Sequence, residues 1–216
     1  MIAEQESVFW EIIETFDEQT LLQYVMLIGS WAEYIYQHYY NSDYTANLRT
    51  RDVDFLYTNL RRPKNKIDIS KALQEKDFTY SVHNLTGVEK FSKHDILEIE
   101  FLHRILGSGE RRYEKIPSIG ITGIGIKETN MLAMYPLVIE YKGYKVIVPE
   151  PEIYVLHKLL INPQRGEVKK EKDMQSIQLL LPHLNKERLK YMFEKLFKAQ
   201  QKIIQKVCFE NDVELY

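Results

Sequence analysis

Residues 27–57 read LIGSWAEYIYQHYYNSDYTANLRTRDVDFLY, and this stretch decides the fold. It opens on the end of a short apolar run, YVMLIGS (24–30). That run's length, its β-prone residues and its terminal Gly29-Ser30 predict a buried strand that turns sharply into a helix. The helix is WAEYIYQHYY, and Ser30 with Glu33 has the spacing of a capping box, in which the serine accepts backbone N–H groups and the glutamate reaches back. After a polar loop, DVDFLYT (52–58) alternates acidic and apolar residues as a half-buried strand does. A period of two places Asp52 and Asp54 on one face.

Two carboxylates that close together repel, and hard oxygen donors in this arrangement suit divalent metals. The chemistry that uses such a pair is phosphoryl transfer, in which one metal activates the attacking oxygen while another neutralises triphosphate charge. Asp-x-Asp alone also describes many exposed strand faces. Weight comes from Gly29-Ser30 at a helix N-terminus, where backbone N–H groups and a hydroxyl can meet a phosphate.

Glycine-serine, a helix and Asp-x-Asp on the next strand together resemble the pattern of the nucleotidyltransferase (polymerase β-like) superfamily, in which a third acid lies on a later strand. Within it, RTRDVDFL (49–56), PEIYVLHKLLI (151–161) and KKEKDMQSI (169–177) are similar to a bacterial nucleotidyltransferase-fold group related to AbiEii-type abortive-infection toxins. The resemblance spans residues 27–181. It implies an α/β (α+β) fold, a mixed sheet with flanking helices followed by a helical C-terminal region. It implies Mg²⁺ (or Mn²⁺) held by Asp52, Asp54 and the third acid, with an NTP as substrate whose phosphate Gly29 and Ser30 position. Lys158, Lys172 and Asp173 would lie over the nucleotide, lysine meeting phosphate and aspartate steering it. The chain departs from the AbiEii pattern where a second acid is expected three residues after Asp173, because Ser176 stands there. A toxin-like role would also imply a partner protein.

The third acid falls in DILEIEFLHR (95–104), a second strand with acidic alternation, whose Glu98 and Glu100 share a face. Glu100 is the choice, since EFL repeats the DFL context that follows Asp52-Val53; Glu98 is the alternative. Arg51, beside the metal strand, is a candidate triphosphate contact, and Arg49 a weaker one. Arg61, Arg62, Lys64 and Lys66 form a small basic patch that reads first as a solvated loop and second as an RNA contact. Among the histidines, His94, His103 and His157 lack metal-ligand spacing with a cysteine, so no zinc site is expected. Gly120, Gly123 and Gly125 do not make a Walker or Rossmann fingerprint.

Elsewhere, residues 6–24 carry apolar groups at helical spacing with a break near 17–20, and 67–76 reads as a helix before the strand-like FTYSVHNL. GITGIGI reads as a strand after a glycine loop at 107–109, and ETNMLAMYP as helix-prone. PLVIEY and YKVIVP, joined at Lys142-Gly143, read as a hairpin. From Glu152 onward the pattern is helical: EIYVLHKLLI, KKEKDMQSIQLLL, then one long segment over 185–211. The change near 149–151 divides a catalytic domain, 1–149, from a helical region, 150–216. The crowded tyrosines 34, 36, 39, 40 and 44 read as helix packing ahead of a base-stacking platform.

With 216 residues, 44% hydrophobic, the chain can bury one large core or two small ones. Its 29 Lys plus Arg against 31 Asp plus Glu leave a formal charge of −2, so no global basic field advertises nucleic acid or an acidic membrane. A single cysteine, Cys208, excludes an intrachain disulfide and fits a reducing compartment. The acid-bearing N-terminal segment lacks the form of a signal peptide, and no stretch approaches the roughly 18 apolar residues of a membrane span. The expectation is a cytoplasmic protein that transfers a nucleoside monophosphate from an NTP to an acceptor hydroxyl on RNA, protein or a small molecule. The alternative is a nucleotide-binding, toxin-like module with little or no turnover.

Overall fold

A computed structural model describes residues 2–40, 43–48, 50–58, 63, 66–105 and 112–216. Arg49, Arg61, Arg62, Lys64 and the glycine loop at 107–109 lie outside the described residues.

The first helix, α1 (Ile2–Glu18), sets Val8, Phe9, Ile12, Ile13 and Phe16 along one buried stripe. It ends where expected, and Leu21 and Leu22 are buried in the turn that leads to β1 (Val25–Ile28). Then come α2 (Ser30–Tyr39), β2 (Asp52–Tyr57), α3 (Ile69–Glu75), β3 (Thr79–Val82), β4 (Glu89–Lys93) and β5 (Leu97–Arg104). They are followed by β6 (Tyr113–Ile116), β7 (Ile121–Ile126), α4 (Thr129–Met134), β8 (Pro136–Tyr141) and β9 (Tyr144–Pro149). Four longer helices close the chain: α5 (Pro151–Ile161), α6 (Glu167–Leu180), α7 (Lys186–Lys195) and α8 (Lys198–Glu210).

Seven strands form a mixed sheet in the order β1-β2-β5-β4-β3, with β7 parallel to the far end of β5 and β6 antiparallel to β7. The central pair, β2 and β5, is parallel, with Asp52 opposite Glu98 and Asp54 opposite Glu100. One sheet face is apolar: Val53, Phe55, Ile99 and Phe101 meet α1, whose Phe16 ring lies tilted 4.6 Å from Phe55 and stacked 5.7 Å from Phe101. Truncating a core ring such as Phe16 to alanine costs about 3–5 kcal/mol.

The opposite face is divided along its length. Asp52, Asp54, Glu98 and Glu100 occupy one end, while Leu56 and Leu102 continue the same rows into a small apolar cluster with Met26, Ile28 and Leu132. DVDFLYT is therefore half-buried only at its acidic end, because α4 covers the rest through Leu132.

The hairpin β8–β9 turns at Lys142 (φ 52°) and Gly143 (φ 83°), the two left-handed residues of a type I′ turn. Two strands carry no clear signal in the sequence. In β4 (EKFSK) only Phe91 is fully buried, and in β6 (YEKI) only Ile116 is. The expected long C-terminal helix is two, α7 and α8, separated where Leu196 and Phe197 adopt extended backbone. Tyr34, Tyr36 and Tyr44 are buried, and the Tyr36 hydroxyl donates to the Pro149 carbonyl at 2.7 Å, so these rings pack the interior. One apolar cluster runs from Val8 through α5 to Cys208. Among the described residues, no helix is long and apolar enough to cross a membrane.

Candidate active site

The acids of the divided sheet face are held by backbone pairing, and this fixes their spacing. Parallel register sets Asp52 beside Glu98 and Asp54 beside Glu100. A carboxylate oxygen from each of Asp52, Glu98 and Glu100 lies within 4.8 Å of the others. Such an all-oxygen donor set fits a hard divalent ion such as Mg²⁺ or Mn²⁺. Glu98, the alternative in the sequence reading, thus stands with Glu100 and Asp52, while Asp54 lies on the same face next to the β1–α2 turn.

That turn is shaped around Asp54. Gly29 has φ 68° and ψ −158°, a region open in practice only to glycine, and a Cβ placed on it would sit 2.6 Å from Asp54 Oδ2. Glycine here lets a carboxylate approach the start of α2. Ser30 is the first residue of α2, with Gly29 as its N-cap. The expected capping box does not form, because Glu33 is withdrawn into the interior. It is 1% exposed and accepts hydrogen bonds from Tyr154 (2.7 Å) and Ser176 (2.6 Å). Burial pushes Asp54 up to about 7, the charges of Glu100 and Asp52 push the same way, and Lys169 and Arg165 oppose them.

A lysine enters the acid row from the neighbouring strand. Lys90, on β4, places its ammonium 2.5 Å from Glu98 Oε1 and 2.6 Å from Glu100 Oε1. Burial works against its charged form, but hydrogen bonds to Glu100 and Glu98 and their charges outweigh it and raise its pKa above the ordinary lysine value. The sequence reading missed Lys90 because it missed β4. It also missed Arg165 and Lys169, which nothing in the spacing distinguishes from other surface cations.

Of the remaining sequence candidates, Arg51 pairs with Asp95 at 3.6 Å in solvent, an interaction of little energetic weight. Lys158 is 8% exposed and turns inward, to Asp173 at 2.8 Å and Glu33 at 3.3 Å. Asp173 is buried and also receives Arg165 at 3.0 Å. Lys172, the neighbour of Asp173 on α6, is partly exposed. The Tyr154 hydroxyl lies within 2.9 Å of the Gly29 carbonyl as well as 2.7 Å from Glu33. The helical region is thereby fastened to the turn that borders Asp54.

A family model described as nucleotidyltransferase matches residues 8–201. Among solved structures, the chain is similar to an antigenic nucleotidyltransferase-like protein from Paracoccidioides brasiliensis, with a TM-score of 0.60, 16% identity and coverage of 97% of this chain and 89% of that one. It is also similar to the antibiotic-resistance factor ANT(2'')-Ia in solution, with a TM-score of 0.51, 13% identity and coverage of 97% and 100%. The crystal structure of that factor with adenylyl-2''-tobramycin matches with a TM-score of 0.50, 12% identity and coverage of 94% and 98%. At these identities the likeness is one of fold. Among curated proteins, none matches the sequence.

Proposed function

The chain belongs to the nucleotidyltransferase family, and from that premise we propose that it moves a nucleoside monophosphate from an NTP to an acceptor hydroxyl at the acid row of β2 and β5, with pyrophosphate leaving. The observation that carries this reading is the parallel register that aligns Asp52 and Asp54 with Glu98 and Glu100 beside the Gly29 turn. Mg²⁺ or Mn²⁺ bound by Asp52, Asp54 and Glu100, with Glu98 at hand, would polarise the α-phosphate and lower the charge opposing attack.

The chain's own groups supply the rest. The Gly29 turn and the first N–H groups of α2, with the Ser30 hydroxyl, offer donors to the triphosphate. The carboxylates of the row are the nearest acceptors for the proton that leaves the attacking hydroxyl. Arg165 and Lys169, which act on Asp54 from the helical side, meet the charge that develops on pyrophosphate. Lys158 and Asp173 hold Arg165 and α6 in place, and Lys172 and Arg51 extend the cationic rim. In this reading residues 1–149 carry the acid row and 150–216 close one side of it. The acceptor is an RNA, protein or small-molecule hydroxyl.

The test is incubation of the purified protein with Mg²⁺ and each α-³²P-labelled NTP, adding RNA, cell protein and an alcohol panel that includes aminoglycosides, since a structure of ANT(2'')-Ia holds adenylyl-2''-tobramycin. Label moving to one acceptor class, and lost in Asp54→Asn, supports the reading and names the substrate class. Metal-dependent NTP binding with no transfer to any acceptor would instead favour the toxin-like module with little or no turnover.

A further inference from the structure

Lys90 is the one described cation whose ammonium bridges two carboxylates of the acid row. Its strand explains how. In the antiparallel pairing of β4 with β5, Ser92 faces Glu98 and Phe91 faces Ile99, so Phe91 points with Ile99 into the core. Lys90, two residues from Ser92, projects on the acidic face. There its Nζ bridges Glu98 Oε1 at 2.5 Å and Glu100 Oε1 at 2.6 Å. The three side chains are 33%, 32% and 21% exposed, sheltered enough for the contact to be felt and open enough to be replaced.

The same two glutamates, with Asp52, form the cluster whose oxygens lie within 4.8 Å of one another. A divalent ion binds carboxylate oxygens at about 2.0–2.6 Å and needs their lone pairs facing it. An ammonium within hydrogen-bond distance of both glutamates occupies that position and cancels part of the charge that would draw the ion. Asp52 and Asp54 are left without such a lysine bridge.

We propose that Lys90 is a positioning residue that acts as a tethered monovalent cation, occupying Glu98 and Glu100 so that the nucleotide-free site takes a single divalent ion on the Asp52–Asp54 side. A second divalent ion then enters only as Lys90 is displaced, an event that the extra charge of a bound triphosphate favours. This inference rests on the reading of the acid row as a metal site.

The test is Mn²⁺ titration of the full chain without nucleotide, with free Mn²⁺ counted by electron paramagnetic resonance, for wild type, Lys90→Met and Lys90→Arg. Methionine keeps the apolar stem and removes the charge, arginine keeps the charge, and the urea unfolding midpoint of each confirms folding. The expected result is one Mn²⁺ per wild-type chain, a second site in Lys90→Met tightened at least about tenfold, and wild-type behaviour in Lys90→Arg. Wild-type binding of one ion with Lys90→Met affinities unchanged within about twofold overturns the role of Lys90 alone. Binding of two ions to wild type at equal affinity overturns it as well. No Mn²⁺ on any variant removes the metal-site reading and the proposal together.

Discussion

Two groups of charged side chains stand a short way apart in this protein, and they are built on opposite principles. Under α5 and α6, Glu33 and Asp173 face Lys158 and Arg165; the acids and Lys158 are buried, and both acids receive several donors. On the open face of β2 and β5 stand Asp52, Asp54, Glu98 and Glu100, and the bridging lysine there, Lys90, reaches only Glu98 and Glu100. The first group is balanced in charge and closed. The second carries an excess of negative charge and is open. Buried charges that satisfy one another serve the structure, whereas a surplus of one sign held by backbone pairing on an open face marks a place for a ligand of opposite sign.

The comparison breaks first at its buried member. Lys158→Met leaves Asp173 and Glu33 without their shared ammonium and is expected to lower stability by about 3–5 kcal/mol in urea unfolding. Adding Asp173→Leu should recover part of the loss, because the cycle removes both charges of the pair. If Lys158→Met unfolds like wild type, the closed group is not structural.

Gly29→Ala probes the seam between the two regions. The new methyl meets Asp54 Oδ2 at 2.6 Å, and the backbone conformation itself costs about 1–3 kcal/mol for alanine. Both a lower unfolding midpoint and weaker Mn²⁺ binding are expected, since the carboxylate has to move. A variant that binds Mn²⁺ as wild type does would uncouple the turn from the acid row.

The smallest effect is a pH dependence on the buried side. Burial pushes His157 down to about 3, helped by Lys158 and Arg165. Its unfolded pKa is near 6.5, so between the two values the unfolded chain binds the proton first. Its contribution to stability is complete above pH 6.5 and is lost as pH falls toward 3, at about 1.4 kcal/mol per unit. Denaturation of wild type and His157→Leu from pH 7 to 5 should differ in slope by this amount, since the opposing titration of Asp54, raised to about 7, is common to both; equal slopes would contradict it.

What could be read in the sequence follows the same division. The strand, Gly29-Ser30, helix and Asp-x-Asp series is local, and each step is governed by neighbours within a few residues. The Lys142-Gly143 hairpin is local too, and both are found where the pattern puts them. Local spacing reads Glu33 as a capping residue and is wrong, because its partners, Tyr154 and Ser176, lie 121 and 143 residues away. No local spacing announces them. β4 escaped because its single fully buried side chain, Phe91, sits among charged residues, one of which turns out to face the acid row. Cys208 is buried, and its pKa is pushed up to about 11 by that burial.

The most direct test of the open group is calorimetric titration of a non-hydrolysable NTP analogue, with Mn²⁺ or with EDTA, into wild type and Asp52→Asn/Asp54→Asn. The account predicts metal-dependent binding to wild type, weakened at least about tenfold in the double variant, whose unfolding midpoint holds or rises because two mutually repelling carboxylates are gone. A double variant that binds the analogue and metal as wild type does would show that the acid row is not the site.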